Sequence, residues 1–193
     1  LQDSPNEAKT MNWKNTADRY GSLSIAMHWL MFLLLVAAYA TINLRELYPK
    51  GSDPREAMKH WHFMLGLSVL VLVWLRLALR LSGPTPRIQP AIGVWQHRAA
   101  ITMHFALYLF MVVMPVLGWL TLSAEGKTIP FFGLELPALV GTNQALADWA
   151  NEIHETIGTV GYYLVGLHAA AALLHHYILR DNTLLRMLPR RRG

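Results

Sequence analysis

The sequence predicts an all-α integral membrane protein, a single four-helix bundle with both termini on the cytoplasmic side. Three observations carry that prediction. Of 193 residues, 53% are hydrophobic and 15% charged, more apolar and less charged than a soluble domain. The charges gather between four apolar runs, at about 23–44, 62–81, 99–122 and 157–179, each close to the roughly 20 residues that cross a bilayer as helix. Of 17 Lys and Arg, twelve lie before the first run, at the end of the second run or in the connection after it, or after the fourth run, against five in the other two connections. The positive-inside rule then puts both termini in the cytoplasm. The net charge of +5 is therefore a topology signal, and nucleic acid is not an expected partner.

Taken in order, LQDSPNEAKTMNWKNTADRY is polar and lacks the apolar core of a signal peptide. Residues 1–15 read as a flexible tail, with Met11 nearer the expected start, and 16–193 as the membrane domain. Thr16 and Asp18 are the expected N-caps of the first span, which ends at the Pro and Gly residues of NLRELYPKGSDPRE. LSGPTPRIQPAIG, after the second span, predicts an extended cytoplasmic loop. Pro115 removes a hydrogen bond inside the third span and predicts a bend there. The following external segment, SAEGKTIPFFGLELPALVGTNQALADW, carries Phe131, Phe132 and Trp149 and reads as an interfacial cover.

The fourth span, HETIGTVGYYLVGLHAAAALLHHY, is rich in histidine, and ionisable groups within a span usually face a protein interior and a function. His154 and His168 are 14 residues apart, which in a helix is nearly four turns and a rise of about 21 Å. They share one face at two depths, a stripe that also takes in Gly161 and His175. The topology offers each a partner: His62 begins the second span near the depth of His154, and His28 lies in the first span near the depth of His168. HFMLG and HETIG each place a glycine, Gly66 and Gly158, one turn after the histidine, the gap that a flat macrocycle against a helix needs.

The chain has no cysteine, which removes disulfides, thiolate-held iron–sulfur clusters, thioether haem attachment and cysteine zinc sites. Two pairs of histidines on different helices fit two stacked b-type haems, His62 with His154 on the outer iron and His28 with His168 on the inner. A six-coordinate iron of that kind transfers single electrons. Zinc, the rival, would want three or four ligands at one point, and the spans hold almost no carboxylates. Arg76, 14 residues after His62, returns to the same face and suits a haem propionate. His104 competes with His28 as an inner ligand, and His175 with His168. Trp29, Arg80, His104, His175 and His176 together suit a quinone headgroup, whose carbonyl oxygens need donors.

AMHWLMFLLLVAAY, HFMLGLSVLVLVWLRLALR, the fourth span and the tail DNTLLRMLPRR resemble the bacterial cytochrome b561 family, and in particular its superoxide oxidase-like branch. The likeness runs over nearly all of Tyr20 to Arg192. It implies a dihaem protein of the inner membrane that takes electrons from superoxide, or from another periplasmic donor, and passes them to ubiquinone. The family's ligand pattern falls on His28, His62, His154 and His168. On this reading Lys59, His60 and Arg55, beside His62, would help superoxide approach, although acids in the same loop nearly cancel their charge. The resemblance also leaves room for an electron-transfer subunit working between the quinone pool and a partner protein.

Overall fold

The computed structural model describes residues 13–189. Four long helices dominate it: α1 (Ser22–Leu44), α2 (Asp53–Leu81), α3 (Val94–Ala124) and α4 (Gln144–Tyr177). Each is long and apolar enough to cross a membrane. α1 packs along α2 and α3 along α4, and α2 against α3 joins the two pairs. Met31, Val69, Val73, Phe110 and Met111 form the central core, while Leu33, Val71, Phe105 and Tyr163 stay more than half exposed on the outer faces. In water such faces would be a liability. Against lipid they need no cover.

The apolar runs locate all four helices but underestimate three of them. α2 begins at Asp53, α3 at Val94 and α4 at Gln144, because polar and charged residues, among them Glu56 and Lys59, Gln96 and Arg98, and Asp148 and Glu152, interrupt the apolar signal near their starts. Pro54 at the start of α2 and the Asn143 side chain, which accepts from the Leu146 N–H at 3.1 Å, explain two of these starts. The first helix departs from expectation. Its N-cap is Gly21 with no side-chain bond, and Thr16 instead closes a turn with Arg19. Asn15 does the capping work from a distance, accepting from the Gly21 N–H at 2.9 Å and the Ser24 hydroxyl at 2.8 Å. The expected start at Met11 lies outside the described residues.

Between α3 and α4 the chain forms a small hairpin, β1 (Ile129–Phe131) and β2 (Leu134–Leu136), antiparallel with Phe131 opposite Leu134. Its two-residue turn has positive φ at both Phe132 (47°) and Gly133 (85°), the backbone that matches strand twist. The hairpin covers one end of the bundle, with Ile129 and Phe131 packed on Leu67 and Leu122. At the other end, the described chain termini and the α2–α3 connection meet. There Leu185–Met187 forms a short turn of 3-10 helix after α4. These are called the hairpin end and the terminal end below.

Candidate functional site

Histidines from different helices meet at each end. At the hairpin end, the rings of His62 on α2 and His154 on α4 lie 6.1 Å apart between centres. The carbonyl of Ala38 can only accept, so the His62 Nδ1 at 2.9 Å from it carries the proton. That leaves Nε2 of a neutral ring as a free donor of its lone pair. The His154 Nδ1 is buried with no hydrogen-bond partner among the described residues. Beside the pair lies a narrow cavity of about 40 Å³ walled by Phe63, Gly66, Leu67, Pro115, Gly118 and Trp119 among others. A Cβ on Gly66 would meet nothing within 4 Å, whereas one on Gly118 would sit 3.4 Å from the His154 ring.

At the terminal end, His168 on α4 lies between two other histidines. Its ring centre is 6.3 Å from that of His28 on α1 and 5.6 Å from that of His104 on α3. All three line a cavity of about 360 Å³ together with Arg76 and Arg80. The Arg76 Nη2 donates to the His28 Nδ1 at 2.8 Å, which places the proton of a neutral His28 on Nε2. That is the reverse of the His62 tautomer. Arg80 and Arg76 also approach the Tyr108 ring, at 5.7 and 6.0 Å from its centre.

The remaining sequence-selected residues divide by location. Trp29 lines the terminal-end cavity, but its indole N–H is committed to the Met187 carbonyl at 2.8 Å. His175 does not line the cavity, and its Nδ1 holds Asp181 at 2.5 Å. His176 stacks edge-on against Tyr177, away from the cavity. Lys59 is paired with Glu56 at 2.7 Å, and His60 is exposed. Arg55 is buried, holding Glu46 and the carbonyls of Arg45 and Tyr48. It braces the α1–α2 connection and is not free to attract an anion. Arg76, expected at a propionate, instead grips a histidine.

Sequence reasoning missed Gly118, which lets the α3 backbone approach His154, and Tyr39, whose hydroxyl donates to the Gly158 carbonyl at 2.6 Å midway between the two pairs. Gly161, on the histidine stripe of α4, proves to be a close-approach position, where a Cβ would collide with Tyr39 and Phe110. Gly118 stands three residues after Pro115 in MPVLGW, a signal legible only once α3 is known to face His154.

Residues 19–190 match the profile of the family described as prokaryotic cytochrome b561. The chain belongs to that family. It is 38% identical over 175 residues to cytochrome b561 homolog 1 of Escherichia coli (strain K12), covering 91% of this chain and 99% of that protein. It is 39% identical over 175 residues to a Yersinia pestis protein named probable superoxide oxidase CybB, covering 91% and 98%. Cytochrome b561 homolog 2 of Escherichia coli (strain K12) is 31% identical over 186 residues, covering 92% and 95%. Membership makes the chain a multi-pass bacterial membrane protein of the oxidoreductase type, and implies b-type haem.

The residues present fit that group. Two imidazoles sharing one metal ion have ring centres about 6 Å apart, from two bonds of roughly 2 Å plus the distance of each nitrogen to its own ring centre. Both cross-helix pairs match this spacing. A ligating histidine usually gives its other N–H to a backbone carbonyl or carboxylate, as His62 does to Ala38. Among the described residues no cluster of three or more His, Asp or Glu converges as a divalent-ion site would need. The open space over Gly66 is the gap that a macrocycle would use.

Proposed function

We propose that this cytochrome b561 holds two b haems and carries electrons across the bacterial inner membrane, oxidising superoxide at the hairpin end and reducing ubiquinone at the terminal end. On this reading the hairpin end is periplasmic and both termini are cytoplasmic, the orientation that the asymmetry of Lys and Arg favours. The observation that carries it is the repetition of one arrangement at two depths: cross-helix histidine pairs 6.1 and 6.3 Å apart whose α4 members are 14 residues apart. The Yersinia pestis relative's name supports superoxide as the donor.

When bound, each haem would supply a reversible one-electron iron couple. His62 and His154 would hold the first, His28 and His168 the second. His28 is preferred to His104 because its distance to His168 reproduces the hairpin-end spacing. The apolar walls of Phe63, Leu67 and Trp119 would shield the hairpin-end pair from water, and superoxide would be the one-electron donor on that side. Two superoxide anions would become two O₂, and one ubiquinone would take two electrons and two protons to become ubiquinol. Arg80 and His104, on the cavity wall, would hold the quinone oxygens. Trp29, His175 and His176 contribute less directly, because their donors are used elsewhere or face away.

One observation favours a second reading, an electron-transfer subunit between the quinone pool and a partner protein. The side chains of Arg45, Arg55, Lys59 and Lys127 near the hairpin end are each paired with a carboxylate, so little free positive charge is left to draw in an anion. Stopped-flow mixing of the purified oxidised protein with superoxide separates the two. Fast haem reduction by the protein alone supports the enzyme, and reduction only after a partner is added supports the subunit.

A further inference from the structure

The segment after α4 does more than end the chain. Asp181 is fixed by His175 and accepts from the Thr183 N–H at 2.8 Å. From there Thr183, Leu184, Arg186 and Met187 line the terminal-end cavity. Asn182 exchanges hydrogen bonds with Gln89, Met187 takes the Trp29 N–H, and the Leu188 carbonyl takes Arg19 at 2.6 Å. Thr183 and Arg186 thereby become part of the cavity wall.

Arg186 is a costly residue to place there. It is 8% exposed. One guanidinium N–H donates to the Pro86 carbonyl, and its Cζ lies 5.9 Å from the centre of the Tyr20 ring. Its Nε is buried without a hydrogen-bond partner among the described residues, and so is the Thr183 hydroxyl. A buried guanidinium with an unmade hydrogen bond is expensive unless an acceptor arrives. Among the described residues the cavity wall holds three guanidinium groups, Arg76, Arg80 and Arg186, and no carboxylate. Asp181 is near, but both its oxygens are engaged. An anion held in the cavity would supply the guanidinium with a partner.

We infer that Arg186 and Thr183 bind a propionate of the terminal-end haem, so that the segment after α4 is part of the cofactor site. This rests on the two-haem reading above. A carboxylate is the acceptor that suits a guanidinium fork, and the haem is the carboxylate-bearing group whose iron the neighbouring histidines would hold. Arg186 and Thr183 share the cavity wall with His28 and His168, the residues that would hold the macrocycle. It is a positioning residue and tunes the potential, because a cation beside the propionate favours the reduced iron.

The test is a spectroelectrochemical titration of the full-length holoprotein, wild type against Arg186→Gln and Arg186→Lys. The expected result is two haems in each protein, with one midpoint lowered in R186Q, the other unmoved, and R186K close to wild type. Two unmoved midpoints in a fully loaded R186Q protein would overturn the inference. So would unmoved midpoints with weakened ubiquinone binding, since the acceptor would then be the quinone headgroup. If R186Q does not assemble, Thr183→Val removes the second unpartnered donor alone. Its haem propionate bending band in resonance Raman must shift, and an unshifted band counts against the site. A wild-type chain with a single haem would sink the two-haem reading, while the midpoint of that haem in R186Q would still decide the role of Arg186.

Discussion

The two histidine pairs have nearly the same spacing, yet their surroundings differ in almost every other respect. The hairpin-end cavity is about 40 Å³ with aromatic and aliphatic walls, and the terminal-end one is about 360 Å³ with three arginines. His62 is already in the tautomer that frees Nε2, held by a backbone carbonyl that cannot change role. His28 is in the opposite tautomer, held by Arg76, so Arg76 has to leave Nδ1 before Nε2 can bind iron. A narrow, preset apolar site suits transfer from a small donor at its edge. A wide, charged site suits a second ligand and protons. On the proposed reading, one ligand chemistry would serve two tasks because the second layer of residues differs.

The largest effects should come from the ligands. His62→Ala or His154→Ala should cut pyridine haemochrome haem from two per chain to one and abolish fast reduction by superoxide. His28→Ala or His168→Ala should also leave one haem, but that haem should still be reduced by superoxide while quinol formation stops. His104→Ala should keep both haems. A protein that loses a haem with His104 and keeps it with His28 would reassign the terminal-end ligand.

Next in size is the consequence of charge. Unneutralised guanidinium groups stabilise the reduced form of a nearby iron, so the terminal-end haem should have the higher midpoint. Electrons then run downhill from the hairpin end to the terminal end. Redox titration of His62→Ala and His28→Ala proteins isolates each haem, and the reverse order would remove the electrostatic account of direction. Between the ends, Gly161→Ala drives a methyl group against Tyr39 and Phe110 and should destabilise the bundle by about 1 to 3 kcal/mol. Thermal unfolding in detergent measures it, with both haem ligand sets intact.

These contrasts also show what is legible in the sequence. Period and depth are properties of one chain of residues, so the 14-residue interval of His154 and His168, and the helices that could answer them, follow from the order of the residues alone. Hydropathy likewise locates the spans, but not the starts of α2 and α4, where polar and charged residues interrupt the apolar signal. What stays hidden depends on a second element's position. Gly118 matters only because α3 passes His154. Trp29 reads as a free donor because nothing in its own neighbourhood shows that Met187, far along the chain, takes its N–H. Arg186 reads as one more positive charge of the tail, since its burial arises only when residues 182–188 fold back over Pro86 and Tyr20.

The smallest effects concern that fold-back. Burial raises the pKa of Asp181, but hydrogen bonds from His175 and Thr183 outweigh it and hold the carboxyl below its ordinary value. A depressed folded value means that the carboxylate stabilises the segment at every pH above the unfolded value, about 4. The contribution disappears as pH falls through the lower, folded value. The hydrogen-exchange protection of residues 181–188, corrected for the intrinsic pH dependence of amide exchange, should therefore lose the Asp181 contribution only under strong acid. Asp181→Asn should remove that acid step. Trp29→Phe deletes one hydrogen bond to the same segment and should cost about 0.5 to 1.5 kcal/mol, speeding exchange at Met187 without a pH dependence of its own. If the acid step survives in Asp181→Asn, the latch lies elsewhere. The terminal-end cavity would then be closed by packing alone.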